Sequence, residues 1–261
     1  MQRLVKTADE INKIEKACRI VAETLTSLKK FMVAGTTTEE MDKFAEDFIL
    51  TKGATPSFKG YTVGNLIYPS SLCISINEEV IHGIPSKHRQ IKNGDIVSLD
   101  CGACLNGYHG DSAVTYVVGE ISDEIEQLLK VTEESLWKGI EQAVARNKVY
   151  DIARAVQTHT EQYGYGVNRD FCGHGIGSDL HEYPSIPNYV PALLHRQSFP
   201  NTKLLKGMAI AIEPMIHLGT KECTILENGW TVVTNDGLPA AHFEHTVIVG
   251  EKEALVLTLR N

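Results

Sequence analysis

At 261 residues the chain is long enough to bury a large core, and single α/β or α+β domains of this size are common, so length asks for no second domain. Its 25 basic and 33 acidic residues give a net charge of -8, which argues against a nucleic-acid site, because affinity for phosphate backbones comes mainly from Lys and Arg. The opening MQRLVKTADEINKIEKACRI lacks the apolar run of a signal peptide, no later stretch resembles a membrane span, and six irregularly spaced cysteines do not resemble a disulfide framework; a cytoplasmic location without a membrane partner is expected.

Thr7 followed by Glu10 is a capping box, and Ile11, Ile14, Ala17, Val21, Leu25 and Leu28 then recur at helical spacing, so a long amphipathic helix is expected first. A second box, Thr37 with Glu40, starts a helix that should end before Gly53. Strand-like runs follow at Val80 to Ile84, Ile96 to Leu105 and Tyr108 to Val118. Ser122 caps a third helix through Leu128, Leu136 and Ile140, and a fourth spans about Tyr150 to Tyr163. The Pro- and Asn-rich segment from Tyr183 to Lys206 reads as a surface loop, and further strands are expected at Met208 to Ile216, Trp230 to Thr234 and His242 to Val249. Helix pair, strands, helix pair, strands is the order of an α+β fold, with antiparallel sheet, helices gathered on one face, and two similar halves.

The strand Ile96 to Leu105 contains Cys101 and Cys104, but positions three apart on a strand point to opposite faces, so this CxxC is read as core rather than a metal pair. Asn106-Gly107 is a strong hairpin signal. If those two residues form the turn, Gly102 lies opposite Asp111, and Asp100, two residues on, shares the face of Asp111 within diagonal reach. Glu213 in MAIAIEPMI and Glu244 in AHFEHTVIV are likewise carboxylates in apolar runs, where an uncompensated charge costs several kcal/mol. Two divalent ions would balance the four acids and one would not, so a dinuclear centre is the economical expectation. Oxygen ligands with one imidazole suit Mn, Fe(II), Co or Zn.

That imidazole is sought in FCGHGIGSDLHE, residues 171 to 182. Gly173-His174-Gly175-Ile176-Gly177 is not the GxGxxG of a dinucleotide site, and it lacks the strand, helix and acidic residue such a site requires. Cys172 and His174 share a face of an extended backbone, but no oxyanion or orienting signature accompanies them as nucleophile and base. His181-Glu182 runs into Pro184 rather than forming HExxH, and no GxSxG occurs. The metal-ligand reading of His174 is the one kept.

Asp100 in IVSLDCG, Asp111 in GYHGDSA, His174 in GHGIG, Glu213 in IEPM and Glu244 in FEHT resemble, in order and spacing, the five metal ligands of the type I methionine aminopeptidases. The resemblance runs from the first helix to the terminal LTLRN. It implies a pita-bread fold, a single catalytic domain over residues 1–261, two divalent ions, and removal of initiator methionine when the next residue is small. Only about thirty residues separate His181 from Glu213, too few for the helical insertion of the type II enzymes.

By the same resemblance, His82 in IHGIP and His181 in DLHE contact substrate and act in catalysis alongside Glu213, while Tyr61, Tyr68, Cys73 and Trp230 wall the methionine pocket. Leu180 stands where an aromatic is commoner, and the stretch TVGNLIY is a few residues longer than usual. The implied partners are peptide and nascent-protein N-termini, with association at the ribosome, and the implied state is a monomer. Two other readings stay open: an Xaa-Pro peptidase using the same ligands, and a catalytically silent pita-bread binding module.

Overall fold

The computed structural model describes residues 4–197 and 199–260. Helix α1 spans Ala8–Leu28 and α2 Thr38–Thr51. Each starts at the box read from sequence: Glu10 N donates to Thr7 Oγ1 at 3.3 Å and Thr7 N to a Glu10 carboxylate oxygen at 2.7 Å, with the same exchange between Thr37 and Glu40 at 3.2 and 2.7 Å. Two orphan amide donors are thereby satisfied at each helix start. Helix α3, Asp123–Glu141, is capped by Ser122, and α4 covers Val149–Glu161. Among the described residues no helix is long and apolar enough to cross a membrane.

In the first half, strand 96–105 pairs along its length with 108–117 through the Asn106-Gly107 turn, where φ is 52° and 77°. Positive φ at both central residues is the hairpin turn that Asn-Gly favours. Gly102 faces Asp111, as the turn-based count requires. The other edge of strand 96–105 pairs with 72–76 and with the short strand 55–56. Helix α1 lies across 96–105 and 108–117. At Gly110 it approaches so closely that a Cβ would stand 2.4 Å from Cys18 N, and only glycine permits that spacing beside Asp111. Leu25, Met41, Leu72 and Leu99 fill this part of the core.

The second half corrects two strand readings. The run expected from Met208 to Ile216 is two strands, 209–212 and 215–217, and the run from His242 to Val249 is likewise split into 240–242 and 245–248. Ile212 pairs with His245 in one sheet and Met215 with His242 in another, so both chains change sheet at the same place. Pro214 cannot donate to a ladder, and the interruptions leave Glu213 and Glu244 outside it. The expected run from Val80 is the shorter strand 79–81, and the run from Trp230 begins only at Val232.

The expected loop from Tyr183 also begins inside a strand, 182–186, whose ends pair with Gly175 and Gly173; Pro184 sits between those pairs, where the register shifts. A proline in such an irregularity removes no ladder bond. The expected helix pair α3 and α4 packs together, and Gly139 of α3 brings Val156 and Ile212 into contact range.

Candidate metal centre and substrate cleft

Asp100 and Asp111 enter a common cleft from the first-half hairpin, His174 from strand 173–175, and Glu213 and Glu244 from the two interruptions. The cleft has a volume of about 240 Å³, and all twelve residues singled out from the sequence line it. Three carboxylate oxygens, Asp100 Oδ1, Asp111 Oδ1 and Glu244 Oε1, are buried with no hydrogen-bond partner among the described residues. Ligand atoms of Asp111, His174 and Glu244 lie within 4.8 Å of one another. His174 Nε2 stands 3.9 Å from Asp111 Oδ2 and 3.5 Å from Glu213 Oε1.

His174 Nδ1 is 2.9 Å from the Gly175 carbonyl, so a proton on Nδ1 is donated there and the Nε2 lone pair faces the acids. That outer hydrogen bond is the arrangement metal-binding imidazoles use. Partnerless oxygens, several acids and one correctly turned imidazole fit one or more divalent cations, since a buried carboxylate without compensation costs several kcal/mol.

Proton affinities follow the same crowding. Burial pushes Asp100 up to about 7. Burial first, then the charges of Glu244 and Asp100, hold Asp111 well above the usual carboxylate range. Glu213 is raised by burial and by Asp100 and Asp111, and Glu244 by burial, Glu213 and Asp100. Burial lowers His174 to about 3, with His181 adding to the effect. Every imidazole at the site is therefore neutral at pH 7 and able to ligate or donate.

His181 meets His174 edge to face with ring centroids 4.3 Å apart, and its Nδ1 is 2.6 Å from Tyr61 Oη. A phenol proton donated to Nδ1 leaves Nε2–H as the ring's own donor. Burial lowers His181 to about 4, which keeps that tautomer neutral. His82 holds a left-handed backbone, φ 59°, unusual for a residue with a Cβ and characteristic of strained functional positions. Its ring stacks edge-on against Phe171 at 5.4 Å and Trp230 at 6.3 Å.

The apolar wall is made by Tyr61, Tyr68, Cys73, Leu180 and Trp230. Tyr68 is buried with its hydroxyl donated towards the Leu72 and Gly83 carbonyls, and its ring meets Trp230 edge to face at 5.2 Å. Cys172 also lines the cleft, but burial raises its thiol to about 11, which disfavours a thiolate nucleophile. Cys101 and Cys104 lie on one strand outside the cleft lining.

Several contributors were not read from sequence. Phe58, Val63, Ile81 and Phe171 add apolar lining. His242 Nε2 lies 3.7 Å from Glu213 Oε2. Lys6 and Glu182 form a buried ion pair directly after His181, and Glu182 Oε1 also accepts from Asp179 N at 3.3 Å. His242 lies two residues before Glu244 on the expected strand, so period-two alternation could have found it; Lys6 and Glu182 are 176 positions apart and leave no local trace.

Residues 12–251 match metallopeptidase family M24. The chain is 50% identical over 256 residues to the methionine aminopeptidase of Clostridium acetobutylicum, covering 98% of each chain. Its structure superposes on the crystal structure of the Thermotoga maritima methionine aminopeptidase with a TM-score of 0.92 and 40% identity, covering all of both chains. The Pyrococcus furiosus prolidase shares the fold at a TM-score of 0.79 and 26% identity, and there the chain spans 66% of the other's length.

Proposed function

The chain belongs to metallopeptidase family M24, and from that premise we propose that it removes the initiator methionine from peptides and nascent proteins whose second residue is small. One observation carries the reading: three partnerless carboxylate oxygens and a turned imidazole face a cleft whose remaining wall is apolar. Asp100, Asp111, His174, Glu213 and Glu244 would hold two divalent ions, of Mn, Fe(II), Co or Zn. Bound there, the ions supply charge neutralisation, activation of water and stabilisation of a developing oxyanion.

The chain's own groups do the rest. Glu213, whose Oε1 lies 3.5 Å from His174 Nε2, takes the proton of the attacking water on a carboxylate oxygen and returns it to the leaving amine nitrogen. His181 donates from Nε2 to the carbonyl oxygen as it gains charge, and Tyr61 holds it in that tautomer. His82, held in its strained backbone, positions the amide next to the scissile bond. Tyr61, Tyr68, Cys73, Leu180 and Trp230 exclude water around the first side chain, and a slot of this kind discriminates by about 1–3 kcal/mol per methylene. An unbranched methionine or norleucine enters; leucine, branched too early, suffers.

Residues 1–261 act as one catalytic domain, a monomer in the cytoplasm that meets nascent chains at the ribosome and binds neither nucleic acid nor membrane. The test is methionine release from Met-Ala-Ser and proline-peptide cleavage from Leu-Pro-Ser, before chelation, after it, and after reloading each metal. Release from Met-Ala-Ser alone, lost on chelation and restored by metal, is expected. Cleavage confined to Leu-Pro-Ser would make it an Xaa-Pro peptidase, and metal binding without cleavage of either would make it a binding module.

A further inference from the structure

Residues 62–67 form a two-stranded hairpin whose base is the substrate cleft itself. Thr62 pairs with Ile67 and Val63 with Leu66 across Gly64-Asn65, with Gly64 at φ 58°. The ladder continues into the cleft wall, because Tyr68 N donates to the Tyr61 carbonyl at 2.8 Å and Gly60 N to that of Tyr68 at 2.9 Å. The hairpin is thus registered rigidly to two of the cleft's aromatic residues.

Its surface is unusual for a hairpin tip in water. None of the eight residues from Tyr61 to Tyr68 is charged, and Val63, Leu66 and Ile67 are 54%, 42% and 64% exposed. Cross-strand pairing puts Val63 and Leu66 on one face and Ile67 with Thr62 on the other. Val63 lines the cleft, and Leu66 lies where a Cβ on Gly229 would be 2.9 Å from its Cδ1, next to the cleft residue Trp230. One apolar face therefore leads from the cleft outward over Val63 and Leu66. Grouped exposed apolar residues beside a binding cleft mark an interaction surface.

We propose that the Val63–Leu66 face is a subsite for one apolar side chain, at the third or the fourth position of the peptide substrate. It rests on the aminopeptidase reading, in which residues one and two fill the pocket and the metal centre. Everything after them must leave the cleft across its rim. Successive side chains of an extended peptide point to opposite sides, so one of the third and fourth residues turns its side chain onto the face that Val63 and Leu66 share.

The test compares kcat/KM for Met-Ala-Leu-Leu with that for Met-Ala-Ser-Ser in each of three proteins: the unaltered chain, Leu66→Ser and Ile67→Ser. Taking the ratio within one protein cancels any loss of folded enzyme. The unaltered chain should prefer the leucine peptide by on the order of tenfold, the effect of partly burying one such side chain. Leu66→Ser should bring the ratio towards one, and Ile67→Ser, on the opposite face, should keep it. A ratio near one in the unaltered chain, or a ratio unmoved by Leu66→Ser, overturns the subsite. Methionine release from neither peptide is a different result and removes the underlying aminopeptidase reading together with the subsite.

Discussion

Stripping the metal should make stability fall as pH rises above 6.5, and the size of the fall follows from the cleft. Burial lifts Asp100 from 3.8 to about 7, so ionising it in metal-free protein costs about 4 kcal/mol at about 1.4 kcal/mol per pH unit. Asp111, Glu213 and Glu244 move in the same direction. A carboxyl with a raised native pKa contributes stability that is present below its unfolded value and lost as pH climbs through its native value. The histidines act oppositely. His82 and His181 are lowered to about 4, and His174, His242 and His245 to about 3, so only the unfolded chain takes protons on them below its ordinary value of 6.5.

Below pH 6.5 the two sets therefore oppose each other, and above it the carboxyls act alone. Each one still protonated in the native chain between pH 6.5 and 7.5 removes up to about 1.4 kcal/mol, or roughly 3–6 °C in Tm for a chain of this size. Metal binds the ionised acids and displaces their protons, so the gap between loaded and stripped protein should widen with pH. Thermal melts of chelated and metal-loaded protein at pH 6.5, 7.0, 7.5 and 8.0 measure both effects. Asp42 and Glu79, also raised by burial, contribute equally to the two forms and cancel in the difference. A stripped protein whose Tm stays level or rises across this window would refute the account of the cleft as crowded protonated acids.

Two further outcomes follow from named contacts. Tyr61→Phe should lower turnover by about tenfold with little change in KM, and His181→Ala should lower it by on the order of a hundredfold, because the 2.6 Å contact holds the donor tautomer; steady-state kinetics at verified metal content decide, and undiminished turnover in either variant removes the assigned role. Lys6→Met or Glu182→Gln alone should cost about 3–5 kcal/mol by leaving one buried charge unpaired, while Lys6→Met with Glu182→Leu should recover much of it; denaturant unfolding reads this out, and a double-variant loss equal to the sum of the two single losses would show that the pair is not coupled.

Local chemistry made the first half readable. Capping boxes at Thr7 and Thr37 and the Asn106-Gly107 turn are each written within four consecutive residues, and the turn alone set the register that brings Asp100 and Asp111 to one face. The hairpin 62–67 carried its own signal in Gly64-Asn65, but two residues a side are too few to show alternation. The second half was less readable because its strands change sheet. Apolar runs through Glu213 and Glu244 look continuous, and periodicity cannot tell that the paired partner differs on either side of each acid.

That change of sheet also explains how two halves distant in sequence hold their acids in one place. Where the ladders stop, hydroxyl side chains bridge strand 108–117 to the segment 242–246. Ser112 Oγ donates to the Glu244 carbonyl at 2.6 Å, Thr246 Oγ1 to that of Asp111 at 2.7 Å, and Thr115 Oγ1 to that of His242 at 2.9 Å. Glu244 N donates in turn to the Ala113 carbonyl at 3.0 Å, and Arg260 reaches Ser112 Oγ at 2.7 Å. The backbone of both ligands is thus anchored by side-chain hydrogen bonds, which leaves their carboxylates free of the partners a ladder or a solvated loop would offer. Satisfied backbone beside unsatisfied carboxylates is what a cation site requires, because the donors that hold the ligands in place do not compete for the oxygens that bind.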